Sequence, residues 1–130
     1  MRFLSILVLV AAVSVGIFAF HRSRQVAYEA SAVTNLKTLA DTEFVLLNED
    51  GFYGTVDELI QSRFLDSKFA SPISGYTYSV VPSQFNFLAT ASRTSRFSGR
   101  YEYFVTGDGI VRYSKNTERA PAGRAGLSVE

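Results

Sequence analysis

The chain has 130 residues, enough for one small domain, and its hydrophobic fraction of 47% is too high for disorder along the whole length. Its 13 lysines and arginines against 12 aspartates and glutamates leave a formal net charge of +1, so no nucleic-acid partner is expected. The absence of cysteine excludes a disulfide framework and a cysteine nucleophile, and the single histidine, His21, disfavours zinc chemistry and a catalytic triad. We therefore predict no cofactor and do not expect an enzyme.

The first predicted element is an apolar helix at the beginning of the sequence. Residues 3–20 carry no charge and would form about 27 Å of helix, close to the roughly 30 Å hydrocarbon core of a bilayer. A cleaved signal peptide has a similar pattern, but Phe18 and Phe20 fit poorly to the small residues at a signal-peptidase site. We favour a retained membrane anchor over residues 1–24. Its lipid-facing or filament-core side chains are expected to be Phe3, Leu4, Ile6, Leu7, Leu9, Val10, Val13, Ile17 and Phe20.

The helix is expected to continue well beyond the anchor, because residues 17–50 contain neither glycine nor proline. Apolar residues recur there at intervals of three and four, which places them on one helical face. A continuous helix over residues 3–47 would be about 67 Å long, more than one small domain can bury. We therefore predict a stalk whose second half packs on the rest of the chain. The packing residues are expected to be Val33, Leu36, Ala40, Phe44 and Leu47, with Val26 and Ala30 on the same stripe.

A polar turn and a short helix are predicted after the stalk. The run from Asn48 to Gly51 is polar and ends in glycine, as is typical of a helix end. Thr55 and Glu58 have the spacing of a capping box. We expect a helix over residues 56–63, with Leu59 and Ile60 turned inward.

The second half of the chain alternates between apolar and polar residues, which predicts two β-hairpins. Their strands are expected at residues 76–81, 85–90, 101–106 and 110–114, and Gly-Asp-Gly at 107–109 suits a tight turn. The predicted fold is α+β, with the long helix packed on a four-stranded antiparallel sheet. Residues 25–116 form the head, and residues 117–130, which are small, charged or glycine- and proline-bearing, form a flexible tail.

This order of parts resembles type IV pilins, and especially the major pseudopilins of type II secretion systems. The local strings that are similar to the family are Asp50-Gly51-Phe52-Tyr53-Gly54-Thr55-Val56-Asp57-Glu58-Leu59-Ile60, Phe64-Leu65-Asp66, Gly75-Tyr76-Thr77-Tyr78, Tyr103-Phe104-Val105 and Gly109-Ile110-Val111-Arg112-Tyr113. The chain departs from the family at residues 1–7: no glycine-ended leader precedes Phe3, and no Phe-Thr-Leu-Ile-Glu motif follows, since Leu7 stands where the glutamate would be counted from Phe3.

The resemblance implies a structural subunit of a pilus or secretion pseudopilus. Such a subunit would be held in the bacterial inner membrane by its N-terminal helix, with its head in the periplasm or on an extracellular filament. Its partners would be the membrane, an assembly platform and further copies of the same chain. The alternative, from another class, is a non-assembling membrane-tethered or secreted domain that binds a component of the cell envelope.

Charge is divided between two regions of the chain. Residues 41–66 contain seven acidic residues and one basic residue, whereas residues 93–124 contain seven basic and three acidic residues. Opposite patches suit head-to-tail contacts between identical subunits, although they could also pair within one head. The candidate subunit contacts are Asp57, Glu58, Arg93 and Arg96.

These charged regions allow two further interpretations, a calcium site and a nucleic-acid surface. The acidic residues could bind calcium, but no EF-hand pattern is present, so a solvated surface is favoured and no metal is predicted. The arginines, interleaved with tyrosines, could bind single-stranded nucleic acid, but the near-neutral net charge again favours a solvated surface.

Overall fold

A single long helix, α1 (Arg2–Asp50), begins the fold. The structure is a computed structural model; it describes the backbone of residues 2–114 and 127–129 and the side chains of residues 22–113 and 127–129. The helix ends where predicted, because Gly51 has a φ of 83° and its N–H donates to the Leu47 carbonyl at 2.9 Å. Only glycine adopts this left-handed conformation without a steric penalty.

The predicted anchor lies outside the residues whose side chains are described, as do the nine anchor side chains named for it. Among the residues whose side chains are described, no helix combines the length and apolar character needed to cross a bilayer.

The predicted short helix is present as α2 (Val56–Gln61), with both hydrogen bonds of its capping box formed. It stops two residues before the expected end, because Arg63 adopts a φ of 63° and the chain turns back. The backbone N–H groups of Phe64 and Leu65 then donate to the Leu59 carbonyl. Leu59 is fully buried and Ile60 packs against the core, as the amphipathic pattern predicted.

Within the described residues the antiparallel sheet has five strands rather than four. They are β1 (Tyr76–Pro82), β2 (Phe87–Arg93), β3 (Glu102–Thr106), β4 (Val111–Ser114) and β5 (Leu127–Ser128), in the order 1-2-3-4-5. β5 comes from the predicted flexible tail, so that prediction is wrong for these two residues. The β4 backbone would otherwise form an exposed sheet edge, and its pairing with residues 127–129 satisfies those groups.

The second strand begins two residues later than expected. The Ser83 N–H donates to the Asn86 carbonyl at 2.8 Å, which closes the β1–β2 turn around Phe85. The Asn86 side chain accepts hydrogen bonds from the backbone N–H groups of Phe87 and Gly107, and so joins this turn to the β3–β4 turn. Phe85 is consequently 85% exposed instead of lying in a strand.

One face of the sheet packs on α1 and forms the core. The alternation predicted for the first two strands is observed: Tyr76, Tyr78, Val80, Phe87, Ala89 and Ala91 point inward. β3 differs, since it is buried on both faces, with Tyr103 and Val105 in the core and Phe104 buried outside that cluster. The fold is therefore α+β, with one layer of helix on one layer of sheet.

The buried face of α1 is rotated by roughly 60° around the helix axis from the predicted stripe. Leu36 and Ala40 are buried as expected, and Val33 and Leu47 are half-buried. The prediction is wrong for Phe44, whose side chain is 37% exposed. Its ring makes an edge contact with the ring of Phe87, and the two ring centroids are 5.8 Å apart. The rest of the core face consists of Glu29, Ala32, Leu39, Glu43 and Leu46.

Candidate functional site: the helix–head interface and its charged ends

The segment before β3 is attached to the middle of α1 by an ion pair between the buried Glu29 and the half-exposed Arg100. Glu29 is 5% exposed, and its carboxylate accepts hydrogen bonds from the backbone N–H of Arg100 at 2.6 Å and from the Arg100 guanidinium Nη2 at 2.9 Å. Arg100 Nε also lies 3.1 Å from Glu29 Oε1, so the contact is forked. Because both carboxylate oxygens are bonded, the buried charge is compensated.

Four tyrosines surround this attachment point on the sheet. Tyr101 and Tyr113 stack with centroids 4.8 Å apart, and Tyr103 lies within 6.5 Å of both. Burial raises the pKa of Tyr76, so its hydroxyl stays protonated and donates to the Tyr101 carbonyl at 2.7 Å. A Cβ at Gly99 would overlap this hydroxyl, so the segment before β3 can approach the helix only with glycine there.

The far end of the head is attached through a second buried acid, Glu43. Its Oε2 accepts a hydrogen bond from the Gly54 N–H at 2.9 Å, whereas its Oε1 is buried without a partner in the described part of the chain. Burial raises the pKa of Glu43 to about 7, because the Gly54 bond only partly offsets desolvation and the charge of Glu58 adds repulsion. The connecting loop is therefore held by a carboxyl group that titrates near neutral pH.

The structure separates the four candidate subunit contacts into two classes. Asp57 and Arg96 are exposed. Glu58 instead accepts from the N–H and hydroxyl of Thr55 in the capping box, and Arg93 donates to the carbonyls of Gly99 and Arg100. Glu58, which is also exposed, and Arg93 therefore form contacts within the head, and the role of all four residues in subunit contacts stays a prediction.

Asp57 and Arg96 lie at different levels along the head, since Asp57 lines a cleft with Tyr78–Val80 in the middle of β1. Asp57 follows the Gly54 segment that binds Glu43, and Arg96 belongs to the turn beside Tyr28. The two attachment points, Glu29 and Glu43, are 14 residues apart on α1, which is about 21 Å of helix. Pairing of these two charges within one head is therefore disfavoured.

Two further basic residues of the region 93–124 are paired with acids. Arg100 binds Glu29, and Arg112 binds Asp108 at 2.8 Å. Burial opposes ionisation of Asp108, but hydrogen bonds from the Ile110 N–H and from Arg112 lower its pKa overall. Lys115, Arg119 and Arg124 lie outside the described residues. Within those residues, no group of three or more acids or histidines could hold a metal ion.

No protein-family model and no curated protein sequence matches the chain.

Sequence reasoning missed both buried glutamates, although a signal for them exists. Glu29 and Glu43 stand seven residues before and after Leu36, so all three share one helical face. An acidic residue in phase with the core is expected to have a specific partner, since an unpaired buried charge is costly. The predicted stripe contains only apolar residues and therefore leaves out both glutamates. For this reason it lies to one side of the face of α1 that is buried.

Proposed function

We propose that the chain is a structural subunit of a type IV pilin-like or pseudopilin-like filament, assembled through its N-terminal helix. The observation that supports this most is the length of α1 relative to the head. Its 49 residues correspond to about 73 Å of helix. The buried face from Glu29 to Leu46 takes up only about 26 Å of it, and a seven-residue strand such as β1 is itself about 23 Å long.

A sheet of this size cannot cover the whole helix, so the apolar residues 3–20 need another environment. In the proposal that environment is the bacterial inner membrane before assembly and the neighbouring helices of the filament afterwards. The head lies in the periplasm or on the filament surface. The partners are further copies of the chain and an assembly platform, and the role requires no catalytic residue or cofactor.

Exposed apolar side chains on α1 also support packing between subunits. Val26 is 49% exposed, Val45 is 45% exposed and Phe44 lies on the flank of the head interface. Their burial against neighbouring helices would add to the cohesion supplied by residues 3–20. In a filament with helical symmetry, the same contact would recur between each subunit and the next, and the assembly would stay open-ended rather than form a closed ring.

The test is a charge placed on this exposed flank. Val45→Lys should suppress filaments by at least about tenfold when the chain is co-expressed with an assembly platform, because an unpaired charge would be buried between subunits. Filaments are counted by electron microscopy of sheared material. Ser79→Lys, at an exposed position on the face of the sheet turned away from α1, is the matched control and should leave assembly unchanged.

Two outcomes would count against the subunit role. Equal filament yield from Val45→Lys and Ser79→Lys would remove this flank from the assembly contact. A complete lack of filaments from the unaltered chain with every platform tried would instead favour the non-assembling tethered or secreted domain.

A further inference from the structure

A rigid turn presents an exposed aromatic ring at the end of the head nearest to the apolar segment. Phe97 is 67% exposed and is not part of the core cluster. Its N–H donates to Ser95 Oγ at 3.2 Å, and the Ser98 N–H donates to the Ser95 carbonyl. Thr94 fastens the turn to the start of β1, since both its N–H and its hydroxyl donate to the Gly75 carbonyl. The ring is therefore held in the exposed position by hydrogen bonds.

Arginines surround this ring. The Arg96 guanidinium lies over the Phe97 ring, 4.8 Å from its centroid. Arg24 lies over Tyr28 at 5.2 Å and donates to its hydroxyl at 2.6 Å. Arg24, Tyr28 and Phe97 line one open cleft of about 270 Å³, together with Ser95 and Ser98.

The charge of this end is positive in the described residues. Arg22, Arg24 and Arg96 are exposed. The acid that packs closest to the turn, Glu29, is buried and already bound to Arg100. Arginines beside an exposed phenylalanine combine electrostatic attraction to anionic lipid with an apolar side chain that can enter the headgroup region.

We propose that this surface, formed by Arg22, Arg24, Arg96 and Phe97, docks the head on the anionic headgroups of the bilayer before assembly. The inference rests on the membrane anchoring in the proposed function. With the hydrocarbon boundary near Phe20, Arg24 lies about 6 Å and Tyr28 about 12 Å farther along the helix axis. The headgroup layer on one side of a bilayer is about 5–8 Å thick.

Phe97, which shares the cleft with Arg24 and Tyr28, is thus placed at the outer edge of the headgroups. A transmembrane helix is tilted by about 20° from the bilayer normal on average, and such a tilt would bring one side of the head closer to the bilayer surface. Docking would fix the orientation of the head relative to the membrane, and assembly would have to release it.

The experiment uses the full chain, which contains no tryptophan, so one substitution introduces a unique fluorescent reporter. The Phe97→Trp variant is reconstituted into vesicles of phosphatidylglycerol and phosphatidylcholine whose acyl chains carry bromine near the carboxyl end. Phe85→Trp is the matched control, because Phe85 is exposed at the opposite end of the head. Unchanged far-ultraviolet circular dichroism and an unchanged thermal unfolding midpoint verify that both variants remain folded.

Phe97→Trp should show a blue-shifted emission that brominated lipid quenches at least about twofold more than that of Phe85→Trp, because an interfacial side chain lies about 5–10 Å into the headgroup boundary. Adding Arg96→Gln, or replacing phosphatidylglycerol by phosphatidylcholine, should reduce the quenching. Equal quenching of the two reporters would overturn the proposal. A blue shift that disappears as the protein is diluted in lipid would also overturn it and would indicate a contact between subunits.

Flotation of the unaltered chain with the vesicles after an alkaline carbonate wash separates this inference from the proposed function. Flotation with an unquenched Phe97→Trp reporter overturns head docking alone. Failure to float overturns the membrane anchor, and with it both proposals.

Discussion

Glu29 and Glu43 occupy equivalent positions on the buried face of α1, yet their carboxylates meet different surroundings. Glu29 is bonded through both oxygens by the guanidinium and backbone of Arg100. Glu43 receives one backbone N–H from Gly54, and its second oxygen is buried without a partner among the described groups. Desolvation therefore dominates at Glu43 and raises its pKa, whereas charge pairing compensates Glu29.

The raised pKa of Glu43 predicts that the head becomes less stable as pH rises. The folded-state pKa of about 7 lies above the ordinary value of 4.5, so between these pH values the folded chain binds more protons than the unfolded chain. The free energy of unfolding should fall over this window, by up to roughly 3 kcal/mol, and level off above pH 7. Urea unfolding of the detergent-solubilised chain, followed by tyrosine circular dichroism, measures it.

Glu43→Gln provides the control, because its amide oxygen can still accept from Gly54 but cannot ionise. We expect the variant to lose most of the decline in stability between pH 5 and 7, whatever its absolute stability. An identical slope in both proteins would mean that Glu43 does not titrate in this range.

At the scale of secondary structure, the head is held together by the face that α1 turns toward the sheet. Leu36, Leu39 and Leu46 are fully buried there, and Ala32 and Ala40 let the strands approach closely. Phe44 stands on the flank and makes its ring contact with Phe87 from the side. A large side chain on the flank contributes less than a smaller one that is completely enclosed, because only the area removed from water contributes.

Truncations on α1 should distinguish these positions. Leu39→Ala should destabilise the head by about 2–5 kcal/mol, as expected for a leucine that leaves a cavity in a core. Phe44→Ala should cost clearly less, because the ring is already partly in water. Thermal unfolding measures the loss of stability in each variant. A larger loss for Phe44→Ala than for Leu39→Ala would mean that the predicted stripe containing Phe44 is the buried face after all.

At the scale of the whole molecule, the head has two charged ends separated along α1. Asp57 lies at the start of α2, beside the middle of β1, and Arg96 lies in the turn at the end next to the apolar segment. In a filament with an axial repeat, one end of a subunit can meet the opposite end of the next. On the membrane Arg96 would face anionic lipid headgroups. On assembly, Asp57 of a neighbouring subunit would replace the headgroups as the negatively charged partner of Arg96.

Charge exchange tests this contact without disturbing the head. Asp57→Lys should reduce filament yield several-fold, and Arg96→Glu in the same chain should partly restore it, because the two positions would attract again with reversed signs. Glu58 and Arg93 are left unchanged because they stabilise the head. Asp50→Lys, at another exposed acid, controls for the loss of negative charge. No recovery in the double variant would show that the two residues do not meet.

Local rules account for the parts of the fold that the sequence predicts. The absence of glycine and proline before Gly51, the Thr55–Glu58 capping box and the alternation in β1 and β2 act over a few residues. Each of these signals lies within the element that it forms. The long helix, α2 and the two hairpins follow from them, as does the α+β class.

Only the tertiary structure decided which face of α1 is buried and which charges remain on the surface. The partner of Glu29 is 71 residues away and that of Glu43 is 11 residues away, so neither contact can be read from helical periodicity. The same holds for β5, which depends on the unpaired edge of β4, and for Arg93, which binds carbonyls in the following turn. Burial of a polar group depends on whether a distant partner can compensate its lost hydration, and chain folding alone brings that partner into place.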